Sequence, residues 1–232
     1  MSYDINEFHQ PVDKIIENWT PRQKPQKKIM QGRYTLLEPL EINKHAAALF
    51  EALWKDNQGE LWTYLSEGPF FQLNEFQQWI QTILSKEGML PYAILDIKTC
   101  LPVGICAYMC INPEHGVIEI GSLHYSSVLK KTPAATEAMY LMMAYIFDEL
   151  KYRRYEWKCN ALNAASRQAA MRLGFQFEGI FRQANVFKGR NRDTAWFSII
   201  DSEWPDIKAK LEKWLDPANF DQNGRQIRRL NA

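Results

Sequence analysis

The feature that most constrains the fold is a helix pattern that runs from about residue 133 to residue 150. Its apolar positions are Ala135, Met139, Tyr140, Leu141, Met142, Tyr145, Ile146, Phe147 and Leu150. They cover the helix nearly all round, which is typical of a buried helix rather than a surface one. The fold must therefore supply other elements on several sides of this helix.

Strand and helix patterns alternate around it. Strands are predicted at 33–40, 91–97, 102–111, 117–126, 153–159, 175–187 and 194–200, and helices at 42–55, 74–86, 164–173 and from about Ser202. Asn43 is a candidate helix cap, "NPEHG" (112–116) a hairpin turn, and Gly174 a helix stop. "KGRNRD" (188–193) is predicted to join the last two strands. The order indicates a mixed α/β fold around one sheet.

The length of 232 residues fits one large domain with extensions. Residues 1–30 are predicted to be an N-terminal extension with one short helix around 11–19. Its basic cluster "PRQKPQKK" (21–28) is interpreted as a solvated linker, with contact to an anionic partner as the alternative. The main domain is predicted at 31–216, and 217–232 as a polar, loosely held tail.

The charge balance argues against several partners. The net charge of +1 gives no global basic field, so no nucleic-acid partner is expected. A ribosome- or RNA-associated role using the basic tail (Arg225, Arg228, Arg229) is disfavoured for the same reason. The segment "MSYDINEFHQ" lacks the apolar core of a secretory signal, and no apolar run approaches the roughly 20 residues of a membrane helix. A soluble, cytoplasmic protein is predicted.

The four cysteines, Cys100, Cys106, Cys110 and Cys159, form no CxxC pair and have no histidine at zinc spacing. They are interpreted as small buried apolar residues in a reducing compartment, and no metal is expected.

The stretch "LKKTPAATEAMY" (129–140) opens the buried helix. Thr132 suits the N-cap and Pro133 the first helical position. The amides that would then point outward unpaired are those of Ala134, Ala135 and Thr136. With the helix dipole they would form an anion site, and Lys130 and Lys131 add positive charge beside it. The alternative is that Thr-Pro merely starts a helix and the lysines are solvated.

Longer stretches carry a resemblance. "NAASRQAAMRLGFQFEGIFR" (163–182), "GRNRDTAWFSI" (189–199), "LWTYLSEGPF" (61–70) and "LKKTPAATEA" occur in the order seen in the GNAT N-acetyltransferase superfamily. From Arg33 to about Trp204 the chain resembles that superfamily, in particular the branch of the ribosomal-protein N-terminal acetyltransferases. "LKKTPAATEA" is similar to its pyrophosphate loop, although Pro133 stands where glycine is usual and removes one N–H donor.

The resemblance implies acetyl-CoA as the donor, a primary amine as the acceptor, and a mostly antiparallel sheet flanked by helices. The strands at 117–125 and 153–159 would run parallel but splay apart to admit the pantetheine arm. Its amides would pair with the backbone of Leu123, His124 and Tyr125.

The resemblance also implies roles for individual residues. Ser166 would donate a proton to the departing thiolate, and Asn163 would hold the pantetheine arm; a purely local helix cap is the alternative. Glu119, where other family members carry a base, and His124, whose unperturbed pKa is suitable, are the candidate bases; the alternative for each is a satisfied polar residue at a strand end. A spacing of five predicts that they lie on opposite faces of their strand. Asn185 stands where some relatives carry a carboxylate. Glu178 and Asp193 are interpreted as structural.

The resemblance places an acceptor cleft under the first two helices and the last hairpin, and this region of the sequence is rich in aromatic residues. Trp62, Tyr64 and Phe70 could form a pocket for a cationic amine, and core packing is the alternative. The predicted function is therefore acetyl transfer to a small amine or a protein N-terminus. The alternative is a degenerate CoA-binding or protein-interaction module without catalysis. A homodimer is compatible with the sequence.

Overall fold

The computed structural model describes residues 3–54 and 59–231, within which ten strands and five α-helices occur. The strands are β1 (Tyr3–Ile5), β2 (Pro11–Asp13), β3 (Met30–Gln31), β4 (Thr35–Pro39), β5 (Leu90–Asp96), β6 (Pro102–Asn112), β7 (Val117–Tyr125), β8 (Arg154–Asn160), β9 (Gln176–Phe187) and β10 (Arg190–Ile200). The helices are α1 (Ile42–Trp54), α2 (Leu73–Leu84), α3 (Pro133–Ala144), α4 (Ala164–Arg172) and α5 (Trp204–Leu215).

Eight strands form one sheet in the order β3-β4-β5-β6-β7-β8-β10-β9. Neighbouring strands are antiparallel except for β7 and β8, which are parallel. The predicted mixed α/β class, with a mostly antiparallel sheet and one parallel pair, is confirmed.

The two faces of the sheet carry separate cores. Helix α3 lies buried on one face, where Met142 and Ile146 are fully covered, and a π-helical turn (Tyr145–Glu149) continues it. Helices α1 and α2 pack on the other face through residues such as Leu49 and Ile80, against β5 and β6. The predicted burial of α3 is confirmed, since elements enclose it on several sides.

The N-terminal extension differs from its prediction. The helix expected at 11–19 is absent from the described residues, and Pro11–Asp13 instead pairs with Tyr3–Ile5 as a small hairpin. The Asn6 side chain accepts hydrogen bonds from the Phe8 and Gln10 amides and so builds the turn. A helix of only nine residues nucleates poorly, so the local turn contacts determine the structure of this segment.

The backbone of the basic cluster at 21–28 is held against the domain, while the side chains of its lysines are exposed. The Gln26 amide donates to the Tyr145 hydroxyl (3.1 Å), and the Tyr92 hydroxyl donates to the Gln26 carbonyl (3.2 Å). The Tyr152 hydroxyl donates to the Gln23 carbonyl at 3.1 Å. The linker interpretation is therefore wrong for the backbone of this segment.

The C-terminal tail is also packed, which contradicts the expectation that it is loosely held. Leu230 is 9% exposed and belongs to the main core. Asn219 is buried and donates to the Trp214 carbonyl at 3.0 Å, while the Trp214 indole donates to Gln226 at 2.9 Å. Apolar residues at the two ends of the tail hold its polar middle segment in place. The composition of that segment does not reveal these contacts.

Two local predictions are corrected. Helix α1 begins at Ile42 after Glu41, whose amide donates to His45 Nδ1 at 3.0 Å, so Asn43 lies within the first turn and does not cap it. Only Lys188 and Gly189 separate β9 from β10, and both have positive φ (50° and 71°), as a tight two-residue hairpin requires. The segment 190–193 is therefore strand, not loop.

Two of the four cysteines depart from the predicted burial. Cys106 and Cys159 are buried, but Cys100 and Cys110 are exposed. Both exposed residues have positive φ, in the β5–β6 turn and near the end of β6, where the chain leaves regular pairing. No helix in the described residues has the length and apolarity to cross a membrane.

Candidate active site

A gap opens between the parallel strands β7 and β8. Their pairing ends where Ile120 faces Trp157, although β7 continues to Tyr125 and β8 to Asn160. Over its whole length β8 stays paired with β10 instead. The predicted splay is confirmed, and the β8-facing edge of β7 beyond Ile120 presents backbone groups to the gap.

A bulge in β7 changes which side chains face this gap. Gly121 pairs with Ala107 and His124 with Ile105, so two residues of β7 oppose one residue of β6. Ser122 has a φ of 51° at this point. One extra residue reverses the alternation of side chains. Glu119 and His124 consequently lie on the same face of the sheet, and the prediction of opposite faces is wrong.

Glu119 is held in a buried ion pair. Its carboxylate lies 2.8 Å from the Lys158 ammonium, which also contacts Glu156 at 2.9 Å and lies 4.0 Å from the centre of the Trp196 ring. Burial alone would lower the pKa of Lys158, but the two carboxylates outweigh it and raise that pKa above its ordinary value. Glu119 and Glu156 therefore face a charged ammonium at neutral pH.

His124 is enclosed by aromatic rings. Its ring centre lies 5.0 Å from that of Trp62 and 4.9 Å from that of Trp79. Burial lowers the pKa of His124 to about 4, so the imidazole is neutral at neutral pH. Nδ1 donates to the Ser122 carbonyl at 2.8 Å, which fixes the tautomer and leaves the lone pair on Nε2.

Asn163 and Ser166 sit at the start of α4. The Asn163 side chain accepts from the Ser166 amide at 3.0 Å and so caps the helix, as the local alternative requires. The Ser166 hydroxyl accepts from the Trp157 indole at 3.0 Å. Burial raises the pKa of Cys159 on β8, and a hydrogen bond from Ser166 offsets that shift in part. The Ser166 hydroxyl therefore lies beside the splayed end of β8.

The loop before α3 only partly matches its prediction. Thr132 is the N-cap and Pro133 follows it, as predicted, but the Thr132 hydroxyl accepts from the Ala135 amide at 3.3 Å. The expectation that the Ala135 amide is unpaired is wrong, because the capping side chain of Thr132 accepts its hydrogen bond. The Lys130 amide also bonds within the loop, to the Ser126 carbonyl at 3.0 Å. The Ala134 amide has no acceptor among the described residues.

The side chains of Lys130 and Lys131 are exposed beside this helix start, and no ion pair involves them within the described part of the chain. Lys131 has a φ of 63°, which turns the backbone sharply before the cap. Two uncompensated charges at a helix N-terminus favour an anion.

The aromatic residues of the predicted acceptor pocket pack as core. Trp62 is 3% exposed and its ring contacts Phe70 at 5.1 Å between centroids. The cluster encloses a cavity of about 10 Å³, room for about one water molecule. Tyr64 is 37% exposed and stands outside the cluster. The packing alternative fits this arrangement better than a preformed pocket.

The last hairpin reaches across to the segment between α1 and α2. Lys188 at its tip donates to the Trp62 carbonyl at 2.7 Å, and burial lowers the pKa of this lysine. The two segments thus meet on the sheet face that carries Glu119 and His124.

The interpretation of Glu178 and Asp193 as structural agrees with their contacts. Glu178 pairs with Arg154 and accepts a hydrogen bond from the Ser198 hydroxyl. Both contacts lower the pKa of Glu178, and the contact with Arg154 has the larger effect. Asp193 accepts from the Gln183 amide at 2.7 Å. The Asn185 side chain accepts from the Thr194 hydroxyl at 3.4 Å.

Two charged residues near the gap were not identified from the sequence, Lys158 and Arg192. Lys158 looks like a solvent-facing residue of an alternating strand, and only the parallel register with β7 reveals its partner. Arg192 falls in a segment that reads as a loop. No group of three or more potential metal ligands occurs in residues 3–54 and 59–231.

The gap and the helix start together suit a ligand with an extended amide-bearing arm and a diphosphate. The unpaired edge of β7 offers backbone partners to such an arm, as an added strand would use them. The lysines offer charge to the diphosphate. Among the described residues the arrangement therefore fits coenzyme A.

Comparison with known proteins agrees with this geometry. A sequence profile described as "Acetyltransferase (GNAT) domain" matches residues 35–176. A crystal structure of a GCN5-related N-acetyltransferase from Brucella melitensis superposes with a TM-score of 0.91 at 48% identity, covering 93% of this chain and 98% of that one.

Two curated bacterial proteins are similar as well. The "Uncharacterized N-acetyltransferase p20" of Bacillus licheniformis is 30% identical over 65% of this chain and 85% of its own length. The "Putative ribosomal N-acetyltransferase YdaF" of Bacillus subtilis is 23% identical over 73% of this chain and 91% of its own length.

Proposed function

Because the chain belongs to the GNAT acetyltransferase family, we propose that it moves the acetyl group of acetyl-CoA directly to a primary amine. The observation that carries this proposal is the end of β7–β8 pairing at Ile120 and Trp157, which leaves a gap next to the charged start of α3. Acceptor classes under this proposal are small amines and protein N-termini.

The donor would be held along the gap and the loop. The backbone of Leu123, His124 and Tyr125 would pair with the pantetheine arm. The diphosphate would lie at the segment Lys130–Thr136, where the two lysine side chains and the Ala134 amide are available to it. Asn163 would contact the arm while it caps α4. Acetyl-CoA supplies an activated thioester carbonyl that the amine attacks.

Proton transfer would be divided between the two sides of the gap. Ser166, with its hydroxyl already held by the Trp157 indole, would protonate the departing thiolate. On the acceptor side, Glu119 or the His124 Nε2 would accept the proton of the amine, directly or through water. The shared face of these two residues lets both approach one acceptor.

A second candidate is CoA binding without catalysis. Two observations favour it: Glu119 neutralises a buried ammonium, and the His124 pKa of about 4 lies far below the operating pH that suits a general base. A chain of this kind would bind acetyl-CoA without amine-dependent release of the CoA thiol.

One assay separates the two candidates. Release of the CoA thiol is followed with a panel of small amines and peptides with free N-termini, alongside calorimetric titration with acetyl-CoA. Binding with amine-dependent thiol release supports the transferase, and binding without it supports the non-catalytic module. Absence of binding at millimolar acetyl-CoA would contradict both. Homodimerisation and a cytoplasmic location remain predictions, the first tested by light scattering.

A further inference from the structure

Arg192 carries an unpaired charge beside the gap. Its Nε is buried and has no hydrogen-bond partner, and no ion pair or hydrogen bond of its guanidinium occurs among the described residues. The guanidinium carbon instead lies 4.5 Å from the centre of the Phe187 ring. The residue is partly buried, and a guanidinium that is withdrawn in part from solvent is ordinarily paired, because desolvating an unpaired charge is costly.

The carboxylates near Arg192 are engaged elsewhere. Asp193, its chain neighbour, accepts from the Gln183 amide (2.7 Å) and the Asn191 side chain (3.0 Å). Glu119 pairs with Lys158. The charge on Arg192 is therefore not neutralised by the residues that surround it.

The position of Arg192 relates it to the reaction centre. It lies opposite Asn185 near the start of β10, three residues before Ala195, which pairs with Cys159 on the splayed end of β8. Burial lowers the pKa of Arg192, and electrostatic interactions with Cys159 and Glu119 offset this only in part. The guanidinium is thus close to both strands that border the gap, and it stays charged at neutral pH.

We propose that Arg192 binds a carboxylate of the acceptor, so that the acceptor is an amine that also carries a carboxylate, such as an amino acid, rather than a simple amine or polyamine. This inference rests on the proposed acetyl transfer. A guanidinium presents a planar fork that matches a carboxylate, and stacking on Phe187 holds one of its faces while the N–H edges remain for a ligand.

The test uses acceptor pairs that differ only in the carboxylate. The pairs are phenylalanine with phenethylamine, histidine with histamine, and lysine with cadaverine. We expect kcat/KM of the full-length protein to favour the carboxylated member by about 10-fold or more, the worth of charge-assisted hydrogen bonds to one group. Arg192→Met should bring that ratio to about one, and Arg192→Lys, which keeps the charge but not the fork, should leave an intermediate ratio. The exposed Arg190→Met is the matched control and should keep the wild-type ratio.

A binding measurement separates this inference from the proposed function. N-acetylphenylalanine and N-acetylphenethylamine are titrated by saturation-transfer NMR, which needs no turnover. Preferential binding of the carboxylated compound, lost in Arg192→Met but not in Arg190→Met, supports the site even if no amine of the panel is acetylated. Equal binding of the two compounds, or an Arg192→Met effect confined to the affinity for acetyl-CoA, would overturn it.

Discussion

The Lys158 ammonium lies 2.8 Å from the Glu119 carboxylate across the parallel strands β8 and β7, beside the last paired positions, Ile120 and Trp157. It also contacts Glu156, and the side chains of all three are at most 15% exposed. Glu156 is also paired with Arg154 at 2.7 Å, whereas Lys158 is the cation that contacts Glu119. Removing Lys158 would therefore leave the Glu119 carboxylate unpaired in a poorly solvated site.

Lys158→Met should therefore destabilise the protein by about 3 kcal/mol, since it leaves uncompensated buried charge. Urea unfolding at pH 7 measures this. The control is Lys208→Met, whose pair with Asp148 is more exposed; it should cost less than about 1 kcal/mol. Equal losses of unfolding free energy in the two variants would show that the buried pair does not stabilise the protein more than the exposed pair.

His124 should make stability depend on pH. Its folded-state pKa of about 4 lies below the unfolded value of 6.5, so the unfolded chain binds the proton first as the pH falls. Its contribution is complete above pH 6.5 and is lost progressively down to pH 4, in total about 3 kcal/mol. Urea unfolding between pH 7 and pH 4.5 should show this slope in the wild type and in the exposed-site control His115→Gln, but reduced in His124→Gln. An unchanged slope in His124→Gln would refute the assignment.

Ser166→Ala should lower kcat by about 10²-fold with little change in the affinity for acetyl-CoA, if the hydroxyl protonates the thiolate. The substitution also removes the acceptor of the Trp157 indole N–H and should cost about 1 kcal/mol of stability. Steady-state kinetics and thermal unfolding separate the two effects. Trp157→Phe, which removes only the N–H, should cost similar stability but much less activity; comparable activity losses would point to a structural role for Ser166.

Pro133→Ala should tighten acetyl-CoA binding by about fivefold, because it returns a backbone N–H to the helix start while the helix loses no internal bond. Calorimetric titration measures the affinity. Pro205 lies in the first turn of α5, one position further into its helix than Pro133 in α3, and Pro205→Ala should leave the affinity unchanged. Weaker or unchanged binding in Pro133→Ala would mean that the diphosphate does not use this amide.

Trp62→Ala should destabilise the protein by about 3–5 kcal/mol, because the ring is 3% exposed and sits within an aromatic core. Tyr64→Ala removes a side chain that is 37% exposed and should have little effect on stability. Urea unfolding distinguishes the two. A Trp62→Ala variant with wild-type stability and lost acceptor affinity would restore the pocket interpretation.

The sequence predicts the elements of this fold well where hydrophobic periodicity is strong. The buried α3, the capping pair Thr132–Pro133 and the alternating β8 all appear where expected. These features depend on local contacts and on one face being apolar, which a single sequence records directly.

The predictions from sequence are wrong where the geometry depends on contacts between residues that are far apart in the chain. The bulge at Ser122 depends on how β7 pairs with β6, and it moves His124 to the face of Glu119. The partner of Lys158 follows from the register of a parallel pair whose strands are far apart in sequence. The packed tail depends on Leu230 reaching the core. None of these has a local signature.

Under the proposed function, acetyl-CoA lies along the unpaired edge of β7 and at the start of α3. Amide hydrogen exchange with and without saturating acetyl-CoA measures this placement. We expect slower exchange concentrated in residues 121–125 and 130–136, with little change in the distant β4 and β5. Binding of acetyl-CoA without protection of these two segments would contradict it.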